Sequence, residues 1–251
     1  MKNIGYQNEL DFVELFNNKY LDELDNNSQK FLKELFDQEI ESDEKIISWK
    51  NKATQKIDIY IKYKKQVKGI SLKCGNSNSM HCESIQNFKA YLEKLRIPYK
   101  IIDKYVSYHY GYMKNENNKI DCSKKLSSYE YKILYQEEIN TFNESINKTR
   151  IIIDMIDRFI VRGNNSDYDI DALISGTIDN YNWILKYELY DLILENPRND
   201  YTSPHIACMT IGPKKRDLDN NSKNSKERYL VAIRLNNIHE LIDNYKIRHK
   251  R

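Results

Sequence analysis

Lys56-Ile57-Asp58-Ile59-Tyr60-Ile61-Lys62-Tyr63 and Val67-Lys68-Gly69-Ile70-Ser71-Leu72-Lys73 are the two stretches on which the fold of this chain turns. Both alternate apolar and polar residues with a period of two, the repeat of a half-buried strand. A short lysine-rich link joins them, so the pair predicts a β-hairpin. Alternation puts Ile57, Ile59 and Ile61 on one side of the first strand and Asp58 on the other. On the second strand Ile70 and Leu72 take one side, Ser71 and Lys73 the opposite one. If the two apolar sets share a core, Asp58, Ser71 and Lys73 converge on the other face.

Outward from the hairpin the pattern changes to helix. Residues 7 to 38 repeat apolar positions at three-to-four spacing (Leu10, Val13, Phe16, Tyr20, then Phe31, Leu32, Leu35, Phe36), with a break expected at Asp25-Asn26-Asn27-Ser28. A Gly/Asn/Ser loop, Gly75 to Ser79, follows the hairpin. The segment Glu83 to Lys94 then places Ile85, Phe88, Leu92 and Leu95 on one helical face. Residues 100 to 165 read as mostly helical, most clearly from Tyr129 to Phe159. Further strands are expected at Asp169–Ile174, Ile206–Ile211 and Tyr229–Leu235, with a short helix from Ile238. The order of elements predicts an α/β protein. The expected segments are a catalytic core over 1–100, a helical middle region over 101–165 and a mixed β/α C-terminal part over 166–251, packed as one compact unit.

Composition narrows the class. With 40% hydrophobic and 31% charged residues in 251, the chain is too apolar for global disorder and long enough to bury a full core. No apolar run approaches the roughly 20 residues that span a bilayer. Met1-Lys2-Asn3-Ile4-Gly5 opens no signal-peptide h-region, so a cytoplasmic location is expected. The four cysteines (Cys74, Cys82, Cys122, Cys208) form no CxxC pair and read as free thiols; Cys74, His81 and Cys82 are poorly spaced for a zinc site. A net charge of +3 decides nothing alone, but the last forty residues are distinctly basic, with Lys214-Lys215-Arg216 and Arg228 among them. The 20 tyrosines and many Asn, Lys and Ile residues fit AT-biased codon usage.

The hairpin face carries chemistry. A carboxylate such as Asp58 can hold Mg²⁺, which polarises a phosphodiester and lowers the pKa of an attacking water. A neighbouring lysine stabilises hydroxide and the added negative charge of the transition state. The bland reading of Asp58 and Lys73 is a solvated cross-strand ion pair worth roughly 0 to 1 kcal/mol. The preceding helix, the S-x-K spacing, the polar loop and Glu83 together favour the chemical reading.

Asp58 followed by Ser71-Leu72-Lys73 resembles the PD-(D/E)xK nuclease core of restriction enzymes. Gln55-Lys56-Ile57-Asp58 lacks the proline, and Ser71 stands where the second acid is expected. One subgroup of restriction enzymes uses SxK there and takes the missing carboxylate from the following helix, which the resemblance assigns here to Glu83. The wider string Ser71 to Glu83 is similar to uncharacterised restriction-endonuclease-like proteins. A glutamate on the first helix, pointing at the metal, is a further feature of the superfamily; Glu9 fills it best and Glu14 is the alternative. The C-terminal stretches Ser203 to Arg216 and Arg228 to Arg234 resemble the same group, and about two thirds of the chain is covered.

The resemblance implies a restriction-endonuclease-like core, a mixed sheet flanked by helices, with a largely helical middle insertion and a β-rich C-terminal part. It implies a homodimeric, Mg²⁺-dependent type II restriction endonuclease acting on double-stranded DNA, with a cognate methyltransferase as genetic partner. Asp58, Glu83 and Glu9 would hold the metal, Lys73 would activate the nucleophile and Ser71 would contact water or phosphate. Asn76, Asn78, His81, Lys214, Lys215, Arg216 and Arg228 are the candidate DNA contacts, the basic ones to phosphate. His81 has capping of the next helix as its structural alternative, and the basic residues have a solvated surface as theirs. Alternatives to the whole are a repair, nicking or junction-resolving nuclease of the same fold, or a DNA-binding module whose site has decayed at Ser71.

Overall fold

The computed structural model describes residues 4–41, 43–52, 56–74, 79–114, 120–163, 168–198, 203–216 and 226–250. In chain order the elements are α1 (Ile4–Phe16), α2 (Asn26–Phe36), β1 (Ile47–Lys50), β2 (Ile59–Tyr63), β3 (Gln66–Lys73), β4 (Ser79–Ser84), α3 (Ile85–Lys94) and α4 (Tyr99–Tyr110). There follow β5 (Tyr112–Lys114), β6 (Ile120–Lys125), α5 (Ser128–Ile146), α6 (Thr149–Ile156) and a π-helical stretch, Asp157–Arg162. The chain ends with β7 (Ala172–Thr177), β8 (Asn180–Leu185), α7 (Lys186–Leu194), β9 (His205–Ile206), β10 (Met209–Pro213), β11 (Leu230–Arg234) and α8 (Ile238–Arg248). Two compact units result, one from Met1–Asn78, Ile156–Leu192 and Asn237–Arg251, the other from Ser79–Met155 and Ile193–Asn236. Among the described residues no helix is long and apolar enough to cross a membrane.

The first unit is built on a five-stranded mixed sheet in the order β1-β2-β3-β7-β8. The expected hairpin is its centre: Ile59 lies opposite Ile70 and Tyr63 opposite Gln66. β3 and β7 run parallel, with Ser71 opposite Leu173 and Lys73 opposite Ser175. Parallel neighbours need a long crossover, and the chain between β3 and β7 carries most of the second unit. This explains why both units are discontinuous in sequence. The strand expected at Asp169–Ile174 begins later, at Ala172, because Asp171 works as a clamp: its carboxylate accepts the Gly69 N–H (2.8 Å) and pairs with Lys68 (3.2 Å).

Helices α1 and α2 cover the apolar face of this sheet. Phe12, Phe16, Phe31 and Leu32 share one buried cluster with Ile59, Ile61, Ile70, Leu72 and Trp183. Every second residue of β2 reaches that cluster, as the period predicts. The Asp25-Asn26-Asn27-Ser28 break is the N-terminus of α2, where the Asp25 carboxylate accepts from the Ser28 backbone N–H (2.9 Å) and hydroxyl (2.8 Å). Asn8 ties α1 to the end of β7 by donating to the Gly176 carbonyl (3.2 Å). Gly176 has φ +120°, and a Cβ there would stand 2.1 Å from the Asn180 carbonyl oxygen, so the β7–β8 turn needs glycine at this position.

The second unit has an antiparallel sheet in the order β4-β11-β10-β9 and the short ribbon β5-β6. Phe88 of α3, Tyr105 of α4 and Phe142 of α5 pack ring on ring at 5.1 and 4.8 Å. Two asparagines one turn apart, Asn143 in the last turn of α5 and Asn147 at its C-cap, hold the β9 segment. Asn143 accepts the His205 N–H (2.9 Å) and donates to the Ser203 carbonyl (3.1 Å); Asn147 donates to the His205 carbonyl (2.9 Å) and accepts the Ala207 N–H (2.6 Å). Asn143 is fully buried. Asn143→Ala strands one backbone donor and one acceptor, each costing about 1–3 kcal/mol when left unpaired. A loss of roughly 2–4 kcal/mol is expected in urea unfolding, and an unchanged midpoint would contradict this clamp.

Glu83 does not open a helix: residues 79 to 84 form β4, and α3 begins at Ile85 with Ser84 as its cap, accepting the Asn87 N–H at 3.1 Å. The reason is tertiary. β4 pairs antiparallel with β11, placing Glu83 opposite Val231, a partner too distant in sequence to leave a local signature.

Candidate active site

In the first unit the start of β2 and the end of β3 lie side by side, and Asp58 sits between them. Its backbone continues the ladder, accepting from the Asn51 N–H and donating to the Ile70 carbonyl, both at 2.9 Å. Its side chain therefore takes the face opposite Ile59 and Ile70. Oδ2 accepts from the Leu72 N–H (2.6 Å) and the Ser71 hydroxyl (3.2 Å), so Ser71, itself buried, orients the carboxylate. Oδ1 receives no hydrogen bond among the described residues. Burial raises the Asp58 carboxyl above the ordinary aspartate range; the Lys73 charge and the Leu72 N–H oppose the rise, while the charge of Glu9 adds to it. Lys73, half-buried at the last position of β3, has no hydrogen-bond or ion-pair partner among the described residues.

Glu9 comes from α1. Its carboxylate is held by Lys50 of β1 at 2.6 Å, and the same ammonium lies 3.4 Å from the centre of the Tyr6 ring. Glu14, the alternative glutamate, instead lines a surface hollow with Asp11, Lys19, Glu23 and Asp25. The structure thus brings Asp58, Ser71, Lys73 and Glu9 together in one unit.

The remaining candidates belong to the second unit or fall outside the described residues. Glu83 is buried on β4, its Oε1 3.8 Å from His81 Nε2. Lys214 forms an ion pair with Glu227 (2.9 Å), and Lys215 is exposed. Arg216 donates to the Tyr108 and Leu126 carbonyls and lies over the Tyr108 ring. Arg228 covers the Tyr229 ring and donates to its hydroxyl. Asn76 and Asn78 lie outside the described residues.

No protein-family model matches the chain, and no curated protein matches it in sequence. Among solved structures it is similar to the restriction endonuclease MspI, determined in complex with its cognate DNA. The TM-score is 0.54 at 11% identity, over 91% of this chain and 88% of that one. The chain has a restriction-endonuclease-like fold.

Two contributors to this site leave no signal in the local sequence. Lys50 neutralises Glu9, a pairing between a helix and a strand 41 positions apart that no local pattern signals. Ser175 of β7 is the strand partner of Lys73, and its carbonyl accepts from His239 Nδ1 at 3.1 Å, so α8 borders the same end of the sheet. Among the described residues no group of three or more His, Cys, Asp or Glu side chains is placed to share a metal ion, neither the expected Asp58–Glu83–Glu9 set nor Cys74–His81–Cys82. The cluster fits an ion that needs few protein ligands. Mg²⁺ typically takes one or two carboxylates and completes its shell with water and substrate phosphate. Asp58 offers an oxygen that accepts no hydrogen bond among the described residues, and burial, with a smaller contribution from the charge of Glu9, raises its carboxyl, a cost of ionisation that a divalent cation relieves.

Proposed function

We propose that this protein is an Mg²⁺-dependent endonuclease that hydrolyses phosphodiester bonds of double-stranded DNA. Within that class we assign it to the type II restriction endonucleases, acting as a homodimer beside a cognate methyltransferase. The observation that carries this reading is the convergence of Asp58, Ser71, Lys73 and Glu9 at one end of the β2–β3 hairpin. The likeness of the fold to MspI supports it.

In this reading Asp58 and Glu9 hold the metal. Bound Mg²⁺ would supply Lewis-acid polarisation of the phosphate and a lowered pKa for its bound water. Ser71 and the Leu72 N–H keep Asp58 oriented. Lys73 presents an ammonium with no partner among the described residues to the incoming hydroxide and to the charge that develops on the phosphate. Attack by water on phosphorus breaks the bond to the 3′-oxygen and leaves a 5′-phosphate. Lys214, Lys215 and Arg228 are the basic residues proposed to meet the DNA backbone, a contact that positions the duplex without reading its sequence.

Digestion of unmethylated plasmids of mixed sequence tests the proposal. Discrete fragments are expected with Mg²⁺ and intact DNA with EDTA. A folded protein that binds DNA but never cuts it would instead be a binding module, and nicked circles without fragments would mark a nicking enzyme.

A further inference from the structure

The sheet face that carries Asp58 also carries an aromatic pair with no role in the mechanism above. Trp49 of β1 lies opposite Tyr60 of β2, and their rings stack with centroids 5.4 Å apart and planes 24° from parallel. Tyr60 is two residues from Asp58, so strand alternation puts both side chains on the same face, about 7 Å apart along the strand. Trp49 is 38% exposed. The third residue of this row is Gly69, opposite Tyr60; it raises no side chain of its own, and the buried Ile57 packs over its Cα on this face. A buried aromatic pair would need no explanation; an exposed one beside a candidate active site does.

The surrounding charge selects the occupant. Between Lys45 and Lys73 the sequence holds nine lysines and a single acid, Asp58; Lys50, Lys64 and Lys68 are paired with Glu9, Glu41 and Asp171 from outside this stretch. Lys52, next to this pair in sequence, and Lys62, next along the Tyr60 face, are both exposed. A second copy of the chain would bring these like charges together, whereas a polyanion neutralises them. Stacked aromatic faces within a basic surface are how proteins hold nucleobases whose own faces are free.

We propose that Trp49 and Tyr60 form a platform that stacks an unpaired or extruded nucleobase of the DNA strand bound at Asp58 and Lys73. This rests on the nuclease reading and adds a substrate feature to it: DNA with an unstacked base beside the attacked phosphate is preferred over continuous duplex. The platform reads no base identity, because every base offers a π-face.

The chain has two tryptophans, and Trp183 is buried, so collisional quenching by iodide at constant ionic strength reports on Trp49. The experiment titrates full-length protein in EDTA with a short duplex carrying one extrahelical adenine, and with the fully paired duplex of the same sequence. The bulged duplex is expected to shield Trp49 from iodide and to bind more tightly than the paired one. Trp49→Ala is expected to weaken bulged-duplex binding roughly five- to a hundredfold, with paired-duplex binding unchanged, and Trp49→Phe to recover most of the loss. If both duplexes bind and are cut once Mg²⁺ is added, while Trp49 stays open to iodide and Trp49→Ala changes nothing, the platform is overturned and the nuclease reading stands. If neither duplex binds, both readings fall. Shielding of Trp49 that grows with protein concentration in the absence of DNA identifies a second copy as the occupant and overturns the proposal.

Discussion

Asp58→Asn is expected to abolish Mg²⁺-dependent DNA cleavage and at the same time to make the protein more stable at pH 7. The first effect follows from the proposed role. A neutral amide is a poor ligand for Mg²⁺, and charge stabilisation by a catalytic metal is worth several kcal/mol, so a loss of roughly a thousandfold or more is expected. The second follows from burial. The Asp58 carboxyl is raised in the folded protein, chiefly by desolvation. A carboxyl raised on folding binds its proton more tightly in the folded state, so its ionisation removes stability as pH climbs through the folded pKa. Asparagine mimics the protonated form and can still accept from Ser71 and Leu72 through its amide oxygen. Urea denaturation of wild type and variant at several pH values checks this. The advantage of the variant should be present at pH 7 and shrink on acidification below the raised pKa. A variant less stable than wild type at pH 7 would show that Asp58 is held as a structural ion pair.

Lys73→Ala carries the second large effect, a loss of about 10² to 10³ in single-turnover cleavage rate, the usual cost of removing one preorganised group that meets developing charge. Duplex binding should be retained, because the lysine acts on the transition state more than on the bound ground state. A second readout separates this from general damage. The Lys73 charge opposes the rise of the Asp58 carboxyl, so its removal lets that carboxyl rise further. The acid limb of the pH–rate profile should therefore move to higher pH in the variant. Unchanged rates, or a lowered rate with the acid limb in place, would remove Lys73 from the chemistry.

Period-two alternation is local, and it was sufficient to put Asp58, Ser71 and Lys73 on one face and Ile59, Ile61, Ile70 and Leu72 on the other. Capping is local too: Asp25 and Ser28 mark the start of α2 by chemistry visible in four residues.

The amino-acid sequence by itself thus determined the hairpin, the helices around it and the polar face that joins an acid to a lysine. Only the tertiary structure decided which elements pair across long loops. It made β3 and β7 parallel neighbours, turned residues 79 to 84 into a strand against β11, gave Glu9 to Lys50 and set the Arg216 guanidinium against two carbonyls. It also laid Trp49 on Tyr60. Periodicity records which side of an element is buried, because a side chain meets core or solvent according to its own position in the repeat. It carries no record of the partner, because backbone hydrogen bonding between strands is the same for any residues that meet in register.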